Sequence, residues 1–445
     1  MNSFVIACVC TGFAVALASG LSAQELKCVQ KPIAWMVGQE NRIVIETPGD
    51  CGQLEVAAPK ELELFDRWPW RQGDTQQKLY FRAKSPLAEG RMAFKAGRYS
   101  LDLPVQVLSW PQAREPRQFE KYQLPRIFPI EGKDGYKQGI TFVDEEWLGQ
   151  LRKEGLPNAD SLAKALPDLE TLFYRMPAST VPRAVYVELH TRRGCPVCGP
   201  KIYQGRSAFY PWVLDYEKHP WKVGCPDCGR WFPSNDFAKG DMHSGDMPDD
   251  GWGYFPKGEK YPYCFISYYA CMAYIRHYRS LPYAFAEQYS RSGDRRFARA
   301  AVVSLFRIAE QFFNLALNLN MRKTYTRQAV WNGRIVPQSG VNTLWAMMFV
   351  ECNWEAGLVG GIYAPAYEML WDYLQSDDAE LLSFLQAHGH PEVTRMADVR
   401  QFIEDGYFRT AAQACMDGSM IGNQPQGQRA AAELALFLNS PRSPE

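Results

Sequence analysis

The chain has 445 residues, with 49 Lys and Arg against 49 Asp and Glu, and 46% of its side chains are hydrophobic and 13% aromatic. That much apolar material over that length excludes an intrinsically disordered protein and suits two or three domains with cores of their own. The balanced charge excludes a general attraction to nucleic acid, so an acidic partner would need a locally basic groove.

Residues 1–23 read as a secretory signal: the apolar run from Phe4 ends in Leu21-Ser22-Ala23, small residues that suit cleavage before Gln24. No Lys or Arg precedes the run, and it is about long enough to span a bilayer, so an uncleaved anchor is the alternative. No later stretch is as long and apolar, so the mature chain is expected in the periplasm or outside the cell, with no membrane segment after signal removal.

Residues 24–110 alternate short β-prone runs with Gly- and Pro-containing punctuation. Arg42–Glu46, Gln53–Ala57, Lys78–Arg82 and Leu103–Leu108 are the expected strands of a small immunoglobulin-like β-sandwich. No site announces itself there, which favours a structural module over a carbohydrate-binding one. Of the 12 cysteines, Cys28 and Cys51 fall in this segment and are the pair an exported protein would oxidise to a disulfide. Cys264 and Cys271 are about 10 Å apart along a helix axis, too far to bridge, and with Cys352 and Cys415 they read as small buried apolar residues.

A Pro-rich stretch from Trp110 to Arg117 opens a linker over 111–142. From 143 to 440 the pattern is helical. Phe297, Ala301, Leu305, Ile308, Phe312, Leu315 and Leu319 recur at steps of three and four, one apolar stripe on a helix whose N-cap is Asp294. Further helices are expected over 263–279, 341–352, 362–375, 378–387, 395–415 and 427–439, and residues 441–445 form a tail. Short loops between antiparallel helices suit an incomplete (α/α) toroid, and no repeat of fixed period points to a solenoid. The fold class expected is multidomain, β followed by α.

An insertion at 195–237 interrupts the helices. Cys195-Pro-Val-Cys198-Gly199 and Cys225-Pro-Asp-Cys228-Gly229 are two knuckles that together supply four thiolates, the number a zinc ion takes in a closed tetrahedral site. The separation of the knuckles suits an extended hairpin, a zinc ribbon, and each following Gly can take the positive φ of a knuckle turn. Such a site has no open position for water or substrate, so the zinc would be structural. Two CxxC disulfides are the alternative in an oxidising compartment.

The run from His219 to Phe237, with its second knuckle and Phe232-Pro-Ser-Asn-Asp-Phe237 tail, followed by helices with a Ser292-Gly-Asp-Arg-Arg-Phe-Ala-Arg-Ala-Ala301 opening, resembles bacterial heparinase II/III-like polysaccharide lyases. The resemblance covers roughly residues 140–440. It implies β-elimination on a uronic-acid-containing polysaccharide. Such an enzyme neutralises the uronate carboxylate, removes the adjacent proton with a Tyr or His base, and supplies an acid to the leaving oxygen.

In that family an amide on a late toroid helix neutralises the carboxylate, and here Asn423, with Gln424 and Gln426 beside it, matches it in a loop before a helix beginning near Pro425. Several relatives carry His where this chain has Gln424. The alternative is that these amides only cap the helix. Arg334, in Trp331-Asn-Gly-Arg-Ile335, matches a family loop and can hold a carboxylate bidentately. The family's Tyr and a C-terminal β-sandwich bearing a further His lie downstream of the amide, and this sequence ends at Glu445. The chain is therefore expected to be the N-terminal portion of a lyase, an inactive homologue, or one partner of a second chain that completes the site, with activity near background by itself.

Other candidates are more ordinary. Arg276-His277-Tyr278-Arg279 is a cationic helix end, with His277 a helix-terminal residue or a base. The remaining base candidates are Tyr278, His388, His390 and Tyr407. Glu351 and Glu355 imitate a glycosidase pair, but hydrolase carboxylates normally come from separate elements. The aromatics from Tyr203 to Phe265 suit a small module's core, or stacking on sugar rings. Three functions stand: the lyase, a silent glycan-binding or scaffold protein on the same toroid, and a toroidal glycoside hydrolase.

Overall fold

The computed structural model describes residues 25–31, 35–37, 40–108, 136–176, 193–207, 210–251, 253–257, 262–317, 357–416 and 425–438. The expected signal, most of the linker, the tail, Cys352, Glu351 and Glu355, and the helix over 341–352 lie outside them.

The N-terminal part is all β. Strands β1 (Lys27–Gln30), β3 (Glu40–Glu46), β6 (Gln76–Ala83) and β5 (Leu62–Arg67) form one four-stranded sheet in that order. A second sheet has the order β2 (Trp35–Met36), β8 (Tyr99–Leu108), β7 (Leu87–Ala96), β4 (Glu55–Ala57). Pairing is antiparallel except between β2 and β8. The two sheets share one core of Trp35, Ile43, Ile45, Leu79, Phe81, Met92, Phe94, Leu103 and Val107. Side chains alternate faces along a strand, so Ile43 and Ile45 point into that core while Arg42 points away from it. Arg42 and Tyr80 lie opposite each other on β3 and β6. Both are nevertheless buried, because another part of the chain covers that outer face.

The remainder is mainly helical. In chain order it contains α1 (Glu145–Glu154), α2 (Ala159–Lys164), α3 (Leu169–Arg175), α4 (Phe265–Ala273), α5 (Leu281–Ser292) and α6 (Arg295–Leu317). Then follow α7 (Ala364–Met369), α8 (Trp371–Leu374), α9 (Ala379–Ala387), α10 (Met396–Ile403), α11 (Thr410–Met416) and α12 (Gln426–Leu438). Asp294 accepts the Arg296 N–H at 2.9 Å at the start of α6, as a capping side chain does. The expected stripe on α6 is buried at Phe297, Ala301, Leu305, Ile308 and Phe312, but so are Ala298, Val302, Val303 and Phe306; Leu319 lies outside the described residues, and the side chain of Leu315 is not described. A helix buried on most sides is central rather than one-faced; α3, α5 and α10 all pack on it.

Single helices were expected over 263–279, 362–375 and 395–415; the first and last contain a π-helical turn, Tyr274–Tyr278 after α4 and Glu404–Arg409 between α10 and α11, and a third turn, Val359–Tyr363, leads into the second before α7. The three turns meet. The Tyr274 and Tyr363 hydroxyls are hydrogen-bonded to each other, and the Tyr363 and Tyr407 rings pack edge-on at 4.9 Å. Gly406 lets the third turn close on α6, since a Cβ there would lie 2.9 Å from the Ala309 carbonyl oxygen.

The last residues before α1 are tied into the helices by buried carboxylates. Glu368 accepts the Thr141, Phe142 and Val143 N–H groups at 2.9, 2.8 and 2.7 Å and pairs with Lys137 at 2.6 Å. Glu404 accepts the Lys137 N–H at 3.0 Å and the Tyr367 hydroxyl at 2.6 Å. One hydrophobic core runs from Leu148 to Leu438 and includes Cys195, Ile202, Trp212, Val223, Cys225 and Phe232. The insertion is thus part of the helical core.

Candidate functional site

The two knuckles converge. Cys195 and Gly199 exchange backbone hydrogen bonds of 3.1 and 2.8 Å, closing the first turn, and Gly229 N–H to Cys225 O at 2.9 Å closes the second. Gly199 and Gly229 hold φ of 65° and 71°, the left-handed conformation expected of them. The short strands β9 (Val223–Gly224) and β10 (Trp231–Phe232) pair on either side of the second knuckle and fix its orientation. Arg206 grips Asp227 at 2.9 and 3.3 Å from the first knuckle's side.

The four sulfurs of Cys195, Cys198, Cys225 and Cys228 all lie within 4.8 Å of one another. Cys195 Sγ is 3.8 Å from Cys228 Sγ, and Cys198 Sγ is 3.4 Å from Cys225 Sγ. Metal–sulfur bonds of about 2.3 Å in a tetrahedron put sulfurs about 3.8 Å apart, so the cluster can hold one four-coordinate metal ion with little adjustment. Its bonds cross between the knuckles: the close sulfur pairs join Cys195 to Cys228 and Cys198 to Cys225, and neither CxxC is closed on itself.

Burial pushes the Cys195 thiol up, and it pushes Cys198 up to about 11. Burial acts the same way on Cys225, but the N–H groups of Cys228 and Asp227 and the thiols of Cys198 and Cys228 outweigh it and hold Cys225 below its ordinary value. Cys195 also accepts two backbone N–H groups, those of Cys198 and Val197, so the neighbouring thiols separate the pair: they lower Cys225, whereas Cys225 raises Cys195.

The tail after the second knuckle is anchored at both ends. Asn235, fully buried, donates to the Asp241 and Asp249 carbonyls at 2.6 and 3.1 Å and accepts the Asp249 N–H at 2.9 Å. Asp249 accepts the N–H groups of Gly251, Gly253 and Ile266 at 2.8, 2.7 and 3.0 Å, so its carboxylate caps α4, where the side chain of the N-cap residue Cys264 does not serve as the cap. Asp250 is bound by Arg42 and by the Tyr80 hydroxyl at 2.7 Å. The segment that follows the insertion therefore staples the β part to the start of α4. These acidic residues carry no signal in sequence beyond an adjacent Asp pair beside glycines.

The remaining candidates are scattered. Cys28 lies on β1 and Cys51 in the turn after β3, with no disulfide formed between them, and the Cys51 thiol donates to the Gly52 carbonyl at 3.3 Å. Cys264 and Cys271 are buried, and burial pushes the Cys415 thiol up to about 12. Gln426 opens α12 with its side-chain oxygen buried and without a hydrogen-bond partner among the described residues. Asn423, Gln424 and Arg334 lie outside the described residues.

His388 bonds through Nδ1 to the Phe384 carbonyl at 2.7 Å, and His390 is buried between Glu310 at 3.6 Å and Glu392 at 3.4 Å. Tyr278 and Tyr407 are buried. The His277 Nε2 is buried with no hydrogen-bond partner among the described residues, and its ring packs edge-on against Tyr216 at 4.2 Å. Tyr216 was not singled out in the sequence; only its aromatic neighbourhood was. That neighbourhood is largely core, with Trp212, Phe232, Tyr263 and Phe265 packed ring on ring.

No family model and no curated relative matches the chain. Among solved structures, domains 4 and 5 of the S-layer protein SbsC are matched at 12% identity over 19% of this chain and 51% of that one, about half its length, with a TM-score of 0.16. That likeness carries no argument about fold or function. Among the described residues, no helix is long and apolar enough to cross a membrane.

Proposed function

We propose that this chain is an exported heparinase II/III-like protein that acts on uronic-acid-containing polysaccharide by β-elimination, with the sheets as an immunoglobulin-like sandwich, the helices as an incomplete (α/α) toroid, and a structural zinc in the cysteine cluster. The observation that supports it is the linked pair of knuckle and tail. The four sulfurs sit at one metal's spacing, and the Phe232–Phe237 tail that carries the family resemblance is the segment whose Asn235 is wholly buried against Asp249. With four thiolate ligands the zinc keeps no open position, so it holds the insertion in shape and takes no part in the chemistry.

By the same resemblance Asn423, with Gln424, neutralises the uronate carboxylate, and Arg334 and Gln426 bind substrate. Neutralisation matters because the proton beside a charged carboxylate is barely acidic, and a positioned amide or cation stabilises the enolate that forms as the base removes it. Cys28 and Cys51 would form a disulfide in the exported protein.

The assay is the ultraviolet absorbance of unsaturated uronate ends, measured across alginate, heparan, hyaluronan and ulvan-type polymers. The expected product is an unsaturated non-reducing end on one of them. New reducing ends without that chromophore would make the protein a hydrolase; binding with neither product would make it a silent glycan-binding protein.

A further inference from the structure

We propose that Arg175, Arg276, His277 and Tyr216 form a binding site for a carboxylate-bearing sugar ring; the choice of a sugar acid rests on the function proposed above, whereas the anion specificity rests on the residues themselves. His277 lies in the π turn Tyr274–Tyr278, and Arg276 is exposed on the same turn. Such turns occur mostly as single-turn insertions within α-helices, frequently at functional sites, and the extra residue re-aims the side chains that follow by about 100°. Here the re-aimed side chain is an imidazole facing a phenol. His277 Nε2 and the Tyr216 hydroxyl are both buried, and neither has a hydrogen-bond partner among the described residues. Buried polar atoms are nearly always satisfied, so two adjacent orphans on rings 4.2 Å apart point to a missing polar ligand.

The charges around the pair select its sign. Arg175, the last residue of α3, and Arg276 form no ion pair among the described residues, although most other arginines of the helical part are paired with carboxylates. Burial, then Arg175, then Arg276 hold His277 below its ordinary value, and no carboxylate acts against them. The imidazole is accordingly neutral at neutral pH, and Nε2 either donates or accepts according to tautomer. Burial likewise keeps the Tyr216 phenol protonated. The nearby carboxylate, Asp215, acts on Tyr269 and is itself held by the Glu217 and Lys218 N–H groups at 3.2 and 2.9 Å. Two guanidinium groups with no ion pair among the described residues, acting on a neutral hydrogen-bonding imidazole, favour an anion there over a cation.

An aromatic wall continues from that pair. Tyr216 packs on Tyr269 at 5.1 Å, and Tyr269 stacks on Trp221 at 5.2 Å. Trp221 holds φ at +61°, a conformation a bulky side chain adopts only when its surroundings impose it. Ligand sites combine apolar and aromatic lining with a few placed polar groups, and a uronate has the matching parts: a ring with an apolar face, hydroxyls, and one carboxylate.

The test is calorimetric titration of the full chain with a saturated glucuronate or galacturonate oligosaccharide. The same titration is run with its methyl ester, which lacks the charge, and with inorganic sulfate and phosphate. Binding of the acid is expected, with at least about a tenfold loss for the ester, for Arg276→Ala and for the double variant R175A/R276A, the size expected for losing a charge-assisted hydrogen bond. Both arginines are exposed, so these variants should keep the parent's melting temperature and metal content. Y216F should weaken binding less, and ligand should shift the His277 imidazole resonances. Ester binding as tight as acid, sulfate or phosphate binding as tight as uronate, or unchanged affinity in R175A/R276A each overturns the proposal. The eliminase assay separates the two readings: unsaturated product from R175A/R276A at the parent rate leaves the lyase and removes this site, whereas titratable binding without turnover leaves the site and removes the lyase.

Discussion

At the residue scale the cysteine cluster shows how a few side chains can be read from type and spacing alone. Two CxxC knuckles can meet in space only if each turn reverses tightly, and the glycines that permit it hold the expected positive φ. What could not be read is that Cys225 is held below its ordinary value, since the N–H groups and neighbouring thiols that lower it are brought together by a folded shape that sequence does not print. Replacing Cys225 with Ser removes one of four thiolates from a site whose metal-binding energy, about 10–16 kcal/mol for structural zinc peptides, is folding energy. The variant is expected to lose its bound zinc by elemental analysis and to melt well below the parent. Chelator should lower the parent's melting temperature and leave the variant's unchanged, and because binding releases thiol protons, the parent's zinc affinity should fall as pH falls. A zinc-free parent with all four cysteines mapped as disulfides would falsify the assignment.

Single elements were legible where periodicity was strong and illegible where neighbours decided. The α6 stripe and the Asp294 cap stand as expected, yet the apolar residues on its other faces were not recognised as core, because their packing partners lie far away in sequence. The π turns had no signal either: one extra residue in a turn leaves the apolar pattern nearly intact while shifting every later side chain. Asp378 illustrates a cap with a second duty. It caps α9 through the Leu381 N–H at 3.2 Å and also pairs with Arg299 at 2.9 Å and Arg295 at 3.1 Å from α6.

Burial would raise the Asp378 carboxyl, but Arg299, the Leu381 N–H and the Tyr373 hydroxyl reverse this and hold it at about 2, against 3.8 unperturbed. A depressed carboxyl pKa stabilises the fold above the unfolded value and loses that contribution as pH falls from near 4 through 2. Asp378→Asn keeps a capping side chain and removes the charge, so it should cost about 2 kcal/mol at neutral pH and flatten that part of the acid-stability curve. Parallel acid limbs for parent and variant in urea titrations would show that the charge contributes nothing.

Across the whole molecule the decisive contact joins residues 208 and 170 positions apart in the chain. Arg42 and Tyr80, opposed on the outer face of the first sheet, close on Asp250 from the segment after the insertion, and all three are buried. Removing one partner of a buried pair leaves an uncompensated charge and costs about 3–5 kcal/mol. Asp250→Asn should therefore lower the calorimetric melting temperature and split off unfolding of the β part as an earlier transition; a single transition at the parent's temperature would show that the junction does not couple the two.

By itself the sequence determined the mixed β-then-α order, the position of the principal helix and the identity of the four clustered cysteines, because each depends on local spacing: period two, period three to four, and the CxxC turn. Only the tertiary structure decided that the insertion shares the helical core, that Asp249 and Asp250 just after it bind to α4 and to the sheet, and that His277 meets Tyr216. Those facts depend on which distant groups displace water from one another, and burial and charge pairing of that kind are properties of the packed chain rather than of any stretch within it.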